Sequence, residues 1–210
     1  MGATLPDFEQ GEFLGRIARC TPEALDDQAS VALWLHYQEL RRWNPRLSLV
    51  GPGTVEDLVE RHYGEALAAL PLVEGAKSLL DVGSGGGFPG FVLAAARPEL
   101  KVTLVEAQER KWAFLSAAAR RAQLSVRCLN ARVGGALEIP PVAVVAWRAV
   151  RLPPGVVADL AAVSQRMLLW SGADEPEPPK GWVSARRVPL TGSSQRQIVE
   201  WVAGAGEQTG

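Results

Sequence analysis

The sequence predicts an α/β fold: a mostly parallel β-sheet, preceded by an N-terminal helical extension and closed by a C-terminal hairpin. From residue 76 onward, short apolar runs alternate with helix-like stretches, the order expected of a parallel sheet covered by helices on both faces. Before that point, the apolar residues recur at helical spacing. The chain has 210 residues, 47% hydrophobic and 21% charged, enough for one sizeable core.

Three helices are predicted in the N-terminal extension, which we place at residues 1–72. A short helix covers residues 7–19. A longer helix covers residues 21–42, with Thr21 as its expected N-cap. The stretch "WNPRLSLVGPG" that follows is rich in helix breakers and is expected to end it. The third helix, residues 54–70, begins with the capping-box pattern "TVED".

The alternating block predicts the core of the fold, which we place at residues 73–204. The predicted strands are 76–83, 101–107, 124–130, 142–147 and 166–172, and the predicted helices are 88–98, 109–123 and 153–165. A polar, proline-rich loop follows, and then residues 182–190 and 195–203 resemble the two arms of a hairpin. We expect the tail, residues 205–210, to be disordered.

A glycine-rich turn follows the first strand and indicates a nucleotide-like cofactor. A dinucleotide fingerprint can be traced through Gly85, Gly87 and Gly90, but that signal alone is weak. One step earlier the spacing is Asp81-x-Gly83-x-Gly85-x-Gly87, with the acid at the last residue of the strand. A carboxylate would repel a pyrophosphate, whereas it would attract the ammonium and sulfonium of S-adenosylmethionine. Asp81 therefore favours S-adenosylmethionine as the cofactor.

The end of the second strand supports a nucleoside site. Glu106 can accept hydrogen bonds from both hydroxyls of a ribose, and Ala107 follows it at the same edge of the sheet. Ser84 lies within the glycine turn and is expected to contact the same ligand. The structural alternative is that Asp81 caps the next helix and the glycines only make a tight turn.

The segment "DVGSGGGFPG" resembles the signature of the glucose-inhibited division protein B family, the 16S ribosomal RNA guanine-N7 methyltransferases. Further similar segments follow the family's order: "WNPRLSLV", "RHYGEAL" and "ERKWAFL", with Arg132 and Arg148 at a matching separation. The resemblance covers roughly residues 30–150. It implies a Rossmann-like methyltransferase fold with S-adenosylmethionine as cofactor and 16S ribosomal RNA or the small ribosomal subunit as partner.

The resemblance also implies individual site residues. Cofactor contacts are expected at the following positions: Gly83, Phe88, Arg132, Val133, Gly134 and Arg148. Arg148 follows a strand, and we expect its side chain to be exposed there and to fix substrate or cofactor in the catalytic geometry. RNA contacts are expected at Arg61, His62, Arg110 and Lys111.

The sequence departs from the family pattern near the substrate side. Ser48 stands where an Asn is usual, Ala143 where an Asp is usual, and Trp147 replaces a Ser. Gly134, after Val133, stands where the family usually has a Glu. These departures keep open a methyltransferase of the same fold acting on a small molecule or another RNA. A non-catalytic cofactor-binding protein and a nicotinamide-dependent oxidoreductase are the remaining alternatives, the latter disfavoured by Asp81.

The composition argues against several other classes of protein. The net charge of −1 argues against a protein that coats nucleic acid without specificity. Two cysteines far apart in sequence predict reduced thiols in a cytoplasmic protein, and two histidines are too few for a typical histidine-based metal site. With no apolar run of about 18 residues and no apolar signal core, we expect no membrane association. We expect a monomer.

Overall fold

The computed structural model describes residues 2–134, 138–172, 175–192 and 195–204. Its sheet has seven strands in the order β3-β2-β1-β4-β5-β7-β6. The strands are β1 (Ser78–Val82), β2 (Lys101–Glu106), β3 (Arg127–Asn130), β4 (Val144–Arg148), β5 (Arg166–Ser171), β6 (Trp182–Pro189) and β7 (Gln197–Ala203). The helices are α1 (Gln10–Cys20), α2 (Asp27–Leu47), α3 (Glu65–Leu67), α4 (Gly90–Ala96), α5 (Glu109–Arg121) and α6 (Pro154–Val163).

The predicted α/β fold is confirmed. Strands β1 to β5 pair in parallel, with Asp81 of β1 opposite Leu104 of β2 on one side and Ala146 of β4 on the other. The hairpin of β6 and β7 adds to β5 in antiparallel orientation, also as predicted. The carboxyl ends of β1, β2 and β4 therefore meet at one edge of the sheet. The predicted disordered tail lies outside the described residues.

Helix α2 begins later than the sequence predicted. Asp26, not Thr21, is the N-cap, and its side chain accepts a hydrogen bond of 2.7 Å from the backbone of Ala29. A carboxylate at this position satisfies one of the backbone donors that the first turn of a helix leaves free.

The same helix also ends later, because it continues through Pro45 to Leu47. The side chain of Asn44 stabilises this end of the helix. It accepts from the backbone N–H of Val50 at 2.8 Å and donates to the backbone carbonyl of Ala3 at 2.7 Å.

The predicted helix over 54–70 is wrong as a single regular element. The structure has 3₁₀ turns at Pro52–Thr54 and Leu70–Leu72, a π-helical segment at Val59–Gly64, and the single turn α3. The Thr54 hydroxyl does not cap a helix but lies 2.9 Å from Nε2 of His62. This irregular path matters because it directs polar groups of the segment towards the edge of the sheet where β1, β2 and β4 end.

The hydrophobic core lies on both faces of the sheet. On one face, the N-terminal helices pack with α4 and α5 against the sheet, and the ring of Phe13 and the side chains of Leu33 and Leu40 are fully buried there. On the other face, α6 packs over β1, β4 and β5 through Leu160. Within the described ranges, no helix is both long enough and apolar enough to cross a membrane.

Candidate active site

A cavity of about 530 Å³ opens where β1, β2 and β4 end. In open α/β sheets this edge is where ligands bind. Most of the residues predicted to contact cofactor line it: Gly83, Ser84, Gly85, Phe88, Glu106, Ala107, Arg132, Val133, Gly134 and Arg148. Of the residues predicted to contact RNA, His62 and Lys111 also line it, whereas Arg61 and Arg110 do not. Asp81 and Gly87 also lie outside the lining.

Glu106 is held in place at the end of β2 by two backbone donors. Its Oε2 accepts a hydrogen bond of 3.0 Å from the N–H of Gly85, and its Oε1 accepts one of 2.8 Å from the N–H of Gln108. The carboxylate is 7% exposed and lines the cavity. An ionised carboxylate can accept about four hydrogen bonds, so Glu106 keeps acceptor capacity for a ligand. A hydrogen bond thus connects the glycine turn to Glu106, the acid at the end of the next strand.

Asp81 departs from its predicted role as a cofactor contact. Its side chain is fully buried, and Oδ2 accepts a hydrogen bond of 3.0 Å from the N–H of Gly90, the first residue of α4. Burial raises the pKa of Asp81 to about 7, and the nearby charge of Glu106 acts in the same direction. Asp81 therefore fixes the turn to the start of α4, which is the structural alternative raised by the sequence.

A buried histidine forms a hydrogen bond with the glycine turn. His36 of α2 lies with Nε2 at 3.0 Å from the carbonyl oxygen of Gly86 and Nδ1 at 2.7 Å from the hydroxyl of Tyr63. Burial lowers the pKa of His36 to about 3, so the ring is neutral. Because the Gly86 carbonyl can only accept, Nε2 carries the proton and Nδ1 accepts from Tyr63. A Cβ at Gly87 would lie 2.9 Å from Nε2 of His36, so this position requires glycine.

Arg148 is not exposed, contrary to the expectation from the sequence. Its side chain is 12% exposed, and Nη2 donates to Glu65 Oε2 at 2.6 Å and to the carbonyl of Arg61 at 2.5 Å. Glu65 is also buried and further contacts Arg61 and Arg196, with Arg196 Nε at 2.8 Å from Oε1. Burial lowers the pKa of Arg148, although the charge of Glu65 opposes this. Arg148 therefore ties β4 to the π-helical segment while one side of it faces the cavity.

His62 reaches the cavity as a neutral side chain. Burial is the main cause that lowers its pKa to about 3, and the charges of Arg148 and Arg61 add to it. Its ring lies 5.0 Å from the ring of Phe88, centroid to centroid. A neutral imidazole cannot form the charged phosphate contact expected of an RNA-binding histidine, so His62 contributes to the shape and hydrogen bonding of the cavity wall.

Several lining residues were missed by the sequence analysis. They are Leu49, Gln108, Val150, Arg151, Leu152, Pro153 and Val156, most of them in the loop from β4 into α6. No local pattern marks that loop, because its position depends on the packing of α6. Glu65 and His36 were also missed as supporting residues, although Glu65 lies within the quoted segment "RHYGEAL". In the described part of the chain, no group of three or more His, Cys, Asp or Glu side chains is arranged to hold a metal ion.

Comparison with known proteins identifies the family. The model of the GidB family, described as rRNA small subunit methyltransferase G, matches residues 30–171. The chain belongs to the GidB family. This assignment covers both the cavity and the α2 segment that supports its glycine turn.

Curated relatives of the GidB family are similar over the same region. A ribosomal RNA small subunit methyltransferase G of Methylobacterium radiotolerans is 42% identical over 119 residues, which are 56% of this chain and 53% of that protein. The protein of the same name from Myxococcus xanthus is 46% identical over 101 residues, 48% of this chain and 46% of that one. The chain thus spans about half the length of these curated relatives.

Solved structures of methyltransferases share the fold of this GidB-family chain. The 16S rRNA methylase RmtB aligns with a TM-score of 0.56 at 13% identity, over 91% of this chain and 80% of that one. The mitomycin 7-O-methyltransferase MmcR aligns with a TM-score of 0.56 at 15% identity, over 96% of this chain and 74% of that one. At these identities the likeness concerns the fold alone, and it agrees with the predicted Rossmann-like class.

Proposed function

We propose that this chain is an S-adenosylmethionine-dependent methyltransferase that methylates N7 of a guanine in 16S ribosomal RNA. Family membership and the names of the curated relatives support this proposal. The observation in the structure that carries it is the Glu106 carboxylate, which two backbone donors fix at the wall of the cavity and which can accept further hydrogen bonds from the ribose of a nucleoside cofactor. The expected partner is 16S ribosomal RNA or the small ribosomal subunit, and we expect the protein to act as a monomer.

The lining of the cavity fits S-adenosylmethionine. A volume of about 530 Å³ is in the usual range of small-ligand sites. Glu106 would hold the ribose hydroxyls, and Leu49, Val105, Ala131 and Val133 offer apolar surface for the base. A Cβ built on Gly85 meets no atom nearer than the Gly83 carbonyl oxygen at 3.7 Å, so this turn leaves its backbone open to a ligand.

The chemistry of guanine N7 asks little of the protein beyond placement. When bound, S-adenosylmethionine supplies an electrophilic methyl group on its sulfonium. Guanine N7 is a lone-pair nucleophile without a proton, so no general base is required and the rate depends on in-line positioning of the reacting atoms. The neutral His62 and the bonded Arg148 suit this task, since hydrogen bonds to Thr54 and Glu65 hold them at the wall.

The departures at Ser48, Ala143 and Trp147 do not favour another substrate, whereas Gly134, which stands where the family usually has a Glu, does line the cavity. Ser48, Ala143 and Trp147 all lie outside the cavity lining. Ser48 ends α2 in a left-handed conformation, and the Trp147 ring packs edge-on against Trp201 in the core. The charge of Asp81 no longer separates S-adenosylmethionine from a dinucleotide, because Asp81 is buried beneath the turn. The choice of S-adenosylmethionine over a dinucleotide therefore rests on membership of the GidB family.

Titration calorimetry tests the proposed cofactor. We expect the protein to bind S-adenosylmethionine and S-adenosylhomocysteine and not NADH. Glu106→Ala should weaken binding by about 10–150-fold, the equivalent of removing one charged hydrogen bond of about 1.5–3 kcal/mol. Glu109→Ala, which removes an exposed acid at the first residue of α5, is the matched control. Tight NADH binding, or unchanged affinity in folded Glu106→Ala, would contradict the assignment.

Methyl transfer tests the proposed substrate. Tritium from labelled S-adenosylmethionine should appear in 16S ribosomal RNA, and N7-methylguanosine at one position should be missing from the ribosomal RNA of cells that lack this protein. A protein that binds the cofactor but transfers no methyl group to this RNA would instead be a non-catalytic binder or act on another substrate.

A further inference from the structure

A second concave surface lies beside the cavity, between α2 and α5. It is a groove of about 300 Å³ lined by Arg42, Trp43, Arg46, Leu47, Arg110 and Ala113. We call it the arginine groove. One wall is the last two turns of α2 and the other is the first turn of α5, two helices that pack against each other.

The charged lining of the arginine groove is entirely cationic. Its three charged residues are arginines, all of them exposed, and among the described residues that line it there is no carboxylate. The acid that pairs with Arg42 is Glu39, whose Oε1 lies 3.6 Å from Nη1 of Arg42 and 2.6 Å from Nη1 of Arg121. Glu39 is thus already neutralised by Arg121, in a chain whose overall net charge is only −1. The groove therefore has a local positive charge that composition does not explain.

The positions of the arginines relate the groove to the cofactor cavity. Arg42 and Arg46 are four residues apart on α2 and so lie on the same face. Arg110 faces them from α5, and its neighbour Lys111 lines the cofactor cavity. Groove and cavity are therefore lined by consecutive residues of one helix, Arg110 and Lys111, close to the edge of the sheet where the strands of the cavity end.

We propose that the arginine groove binds backbone phosphates of the ribosomal RNA strand that carries the target guanine. The inference rests on the proposed function. A guanidinium presents a planar set of donors that matches a phosphate, so exposed arginines in a concave surface suit a phosphodiester chain. Phosphate contacts of this kind fix the register of an RNA on a protein, and Lys111 would continue them from the groove to the cavity. Trp43 forms the floor, where its indole N–H is already bonded to Glu39 Oε2 at 2.8 Å.

Filter binding with deproteinised 16S ribosomal RNA tests the proposal. The variant Arg42→Ala/Arg46→Ala/Arg110→Ala should fold, because all three side chains are exposed and alanine favours helices. The dependence of log K on log salt, measured between about 50 and 200 mM, should become shallower by about 0.7–0.9 for each phosphate that is no longer neutralised. RNA affinity should fall about tenfold or more at the lower salt, whereas S-adenosylmethionine affinity should not change.

The matched control removes the same charge from the opposite edge of the sheet. Lys101 and Arg127 begin strands there and Arg120 lies near the end of α5, and all three are exposed. Lys101→Ala/Arg120→Ala/Arg127→Ala should keep the native salt dependence and affinity. Equal losses in both triple variants, or native RNA binding by the groove variant, would overturn the proposal.

Two further results keep this inference distinct from the proposed function. If the native protein methylates 16S ribosomal RNA and the groove variant does so with the same KM for RNA, the function holds and the groove assignment is wrong. If the groove variant binds free RNA normally but fails only on intact small subunits, the groove contacts a ribosomal protein and the RNA assignment is again wrong. A native protein that binds no S-adenosylmethionine would instead refute the proposed function itself.

Discussion

At the scale of single residues, Asp81 shows how burial changes a role inferred from sequence. The sequence pattern suggests that the charge of Asp81 attracts a cationic cofactor. The structure instead places this side chain beneath the glycine turn, where it accepts a hydrogen bond from the N–H of Gly90. In the described part of the chain, its Oδ1 has no hydrogen-bond partner. Ionising a carboxyl group in such a site is unfavourable, because the side chain is fully buried and few donors stabilise its charge. Asp81 should therefore make the stability of the protein depend on pH.

The expected sign follows from the raised pKa. The folded protein keeps the Asp81 proton up to about pH 7, whereas an unfolded chain loses it near pH 4. Between these values the unfolded chain binds fewer protons, so the contribution of Asp81 to the free energy of unfolding falls as pH rises, and it is constant above about pH 7. Asp81→Asn keeps an acceptor for Gly90 but cannot ionise. Its melting temperature relative to the native protein should therefore increase from about pH 4 to pH 7 and then level off.

The measurement is thermal unfolding of both proteins across that pH range, with the exposed Asp159→Asn as a control for the substitution itself. A difference between Asp81→Asn and native protein that is the same at every pH would show that folding does not raise the pKa of Asp81.

The residues of the site were predictable where the motif is local and were missed where it is not. Gly85 and Glu106 were predicted together because each lies at the end of a strand, and parallel strands end at one edge. Gly87 was assigned to the ligand, yet its missing side chain makes room for His36, which lies 51 residues earlier in the sequence. The direction in which a turn residue faces depends on what packs beneath it, and that partner comes from a distant helix.

At the scale of elements, the strands were predicted better than the N-terminal helices. Strands buried on both faces are continuous apolar runs, so their signal is independent of their neighbours. The first limit of α2 is set by a local cap, Asp26, which competes with Thr21 in the sequence pattern, whereas its last limit depends on a side-chain contact with a distant residue. At the last turn, Asn44 bonds to Val50 and to the distant Ala3. The π-helical segment likewise depends on contacts with β4, above all those made by Arg148.

Arg148 should contribute to stability as well as to the site. Removing a hydrogen bond to a charged group typically costs about 1.5–3 kcal/mol, and after Arg148→Ala the buried Glu65 would keep its contacts with Arg61 and Arg196. At about 2–4 °C per kcal/mol for a chain of this size, Arg148→Ala should lower the melting temperature by about 3–12 °C. Arg148→Lys should recover only part of this loss, since an ammonium cannot reach Glu65 and two carbonyls with the same geometry.

The control for Arg148 is Arg187→Ala, which breaks the pair of Arg187 with Glu175 on a side chain that is 51% exposed. Exposed pairs are worth at most about 1 kcal/mol. Both variants would be measured by thermal unfolding and by calorimetry with S-adenosylmethionine. If Arg148→Ala melts no lower than Arg187→Ala but loses cofactor binding, the pairing with Glu65 is incidental and Arg148 acts on the ligand alone.

At the scale of the whole molecule, the boundary predicted at residues 72 and 73 separates two parts in sequence but not in packing. The larger hydrophobic cluster joins Phe13 and Tyr37 of the N-terminal helices to Phe91 of α4 and Phe114 of α5 without interruption. The hydrogen bonds of His36 and Arg148 cross the same boundary. We propose that residues 1–72 and 73–204 differ in sequence pattern, which is helical in the first and alternates between strand and helix in the second. Neither part has a complete hydrophobic core of its own.

This arrangement predicts the behaviour of a fragment comprising residues 73–204. Without the N-terminal helices, one face of the sheet and the inner sides of α4 and α5 would expose Phe91, Phe114 and Leu104, all fully buried in the whole chain. Each large side chain exposed in this way loses about 1.5–3 kcal/mol, and a few of them amount to the stability of a typical domain. The fragment should bind a hydrophobic dye, melt without a cooperative transition and fail to bind S-adenosylmethionine, whereas a chain that lacks only residues 205–210 should behave as the native protein does. A fragment that melts cooperatively and binds the cofactor would show that the parallel sheet and its own helices form a self-sufficient domain, with the N-terminal helices as an accessory to it.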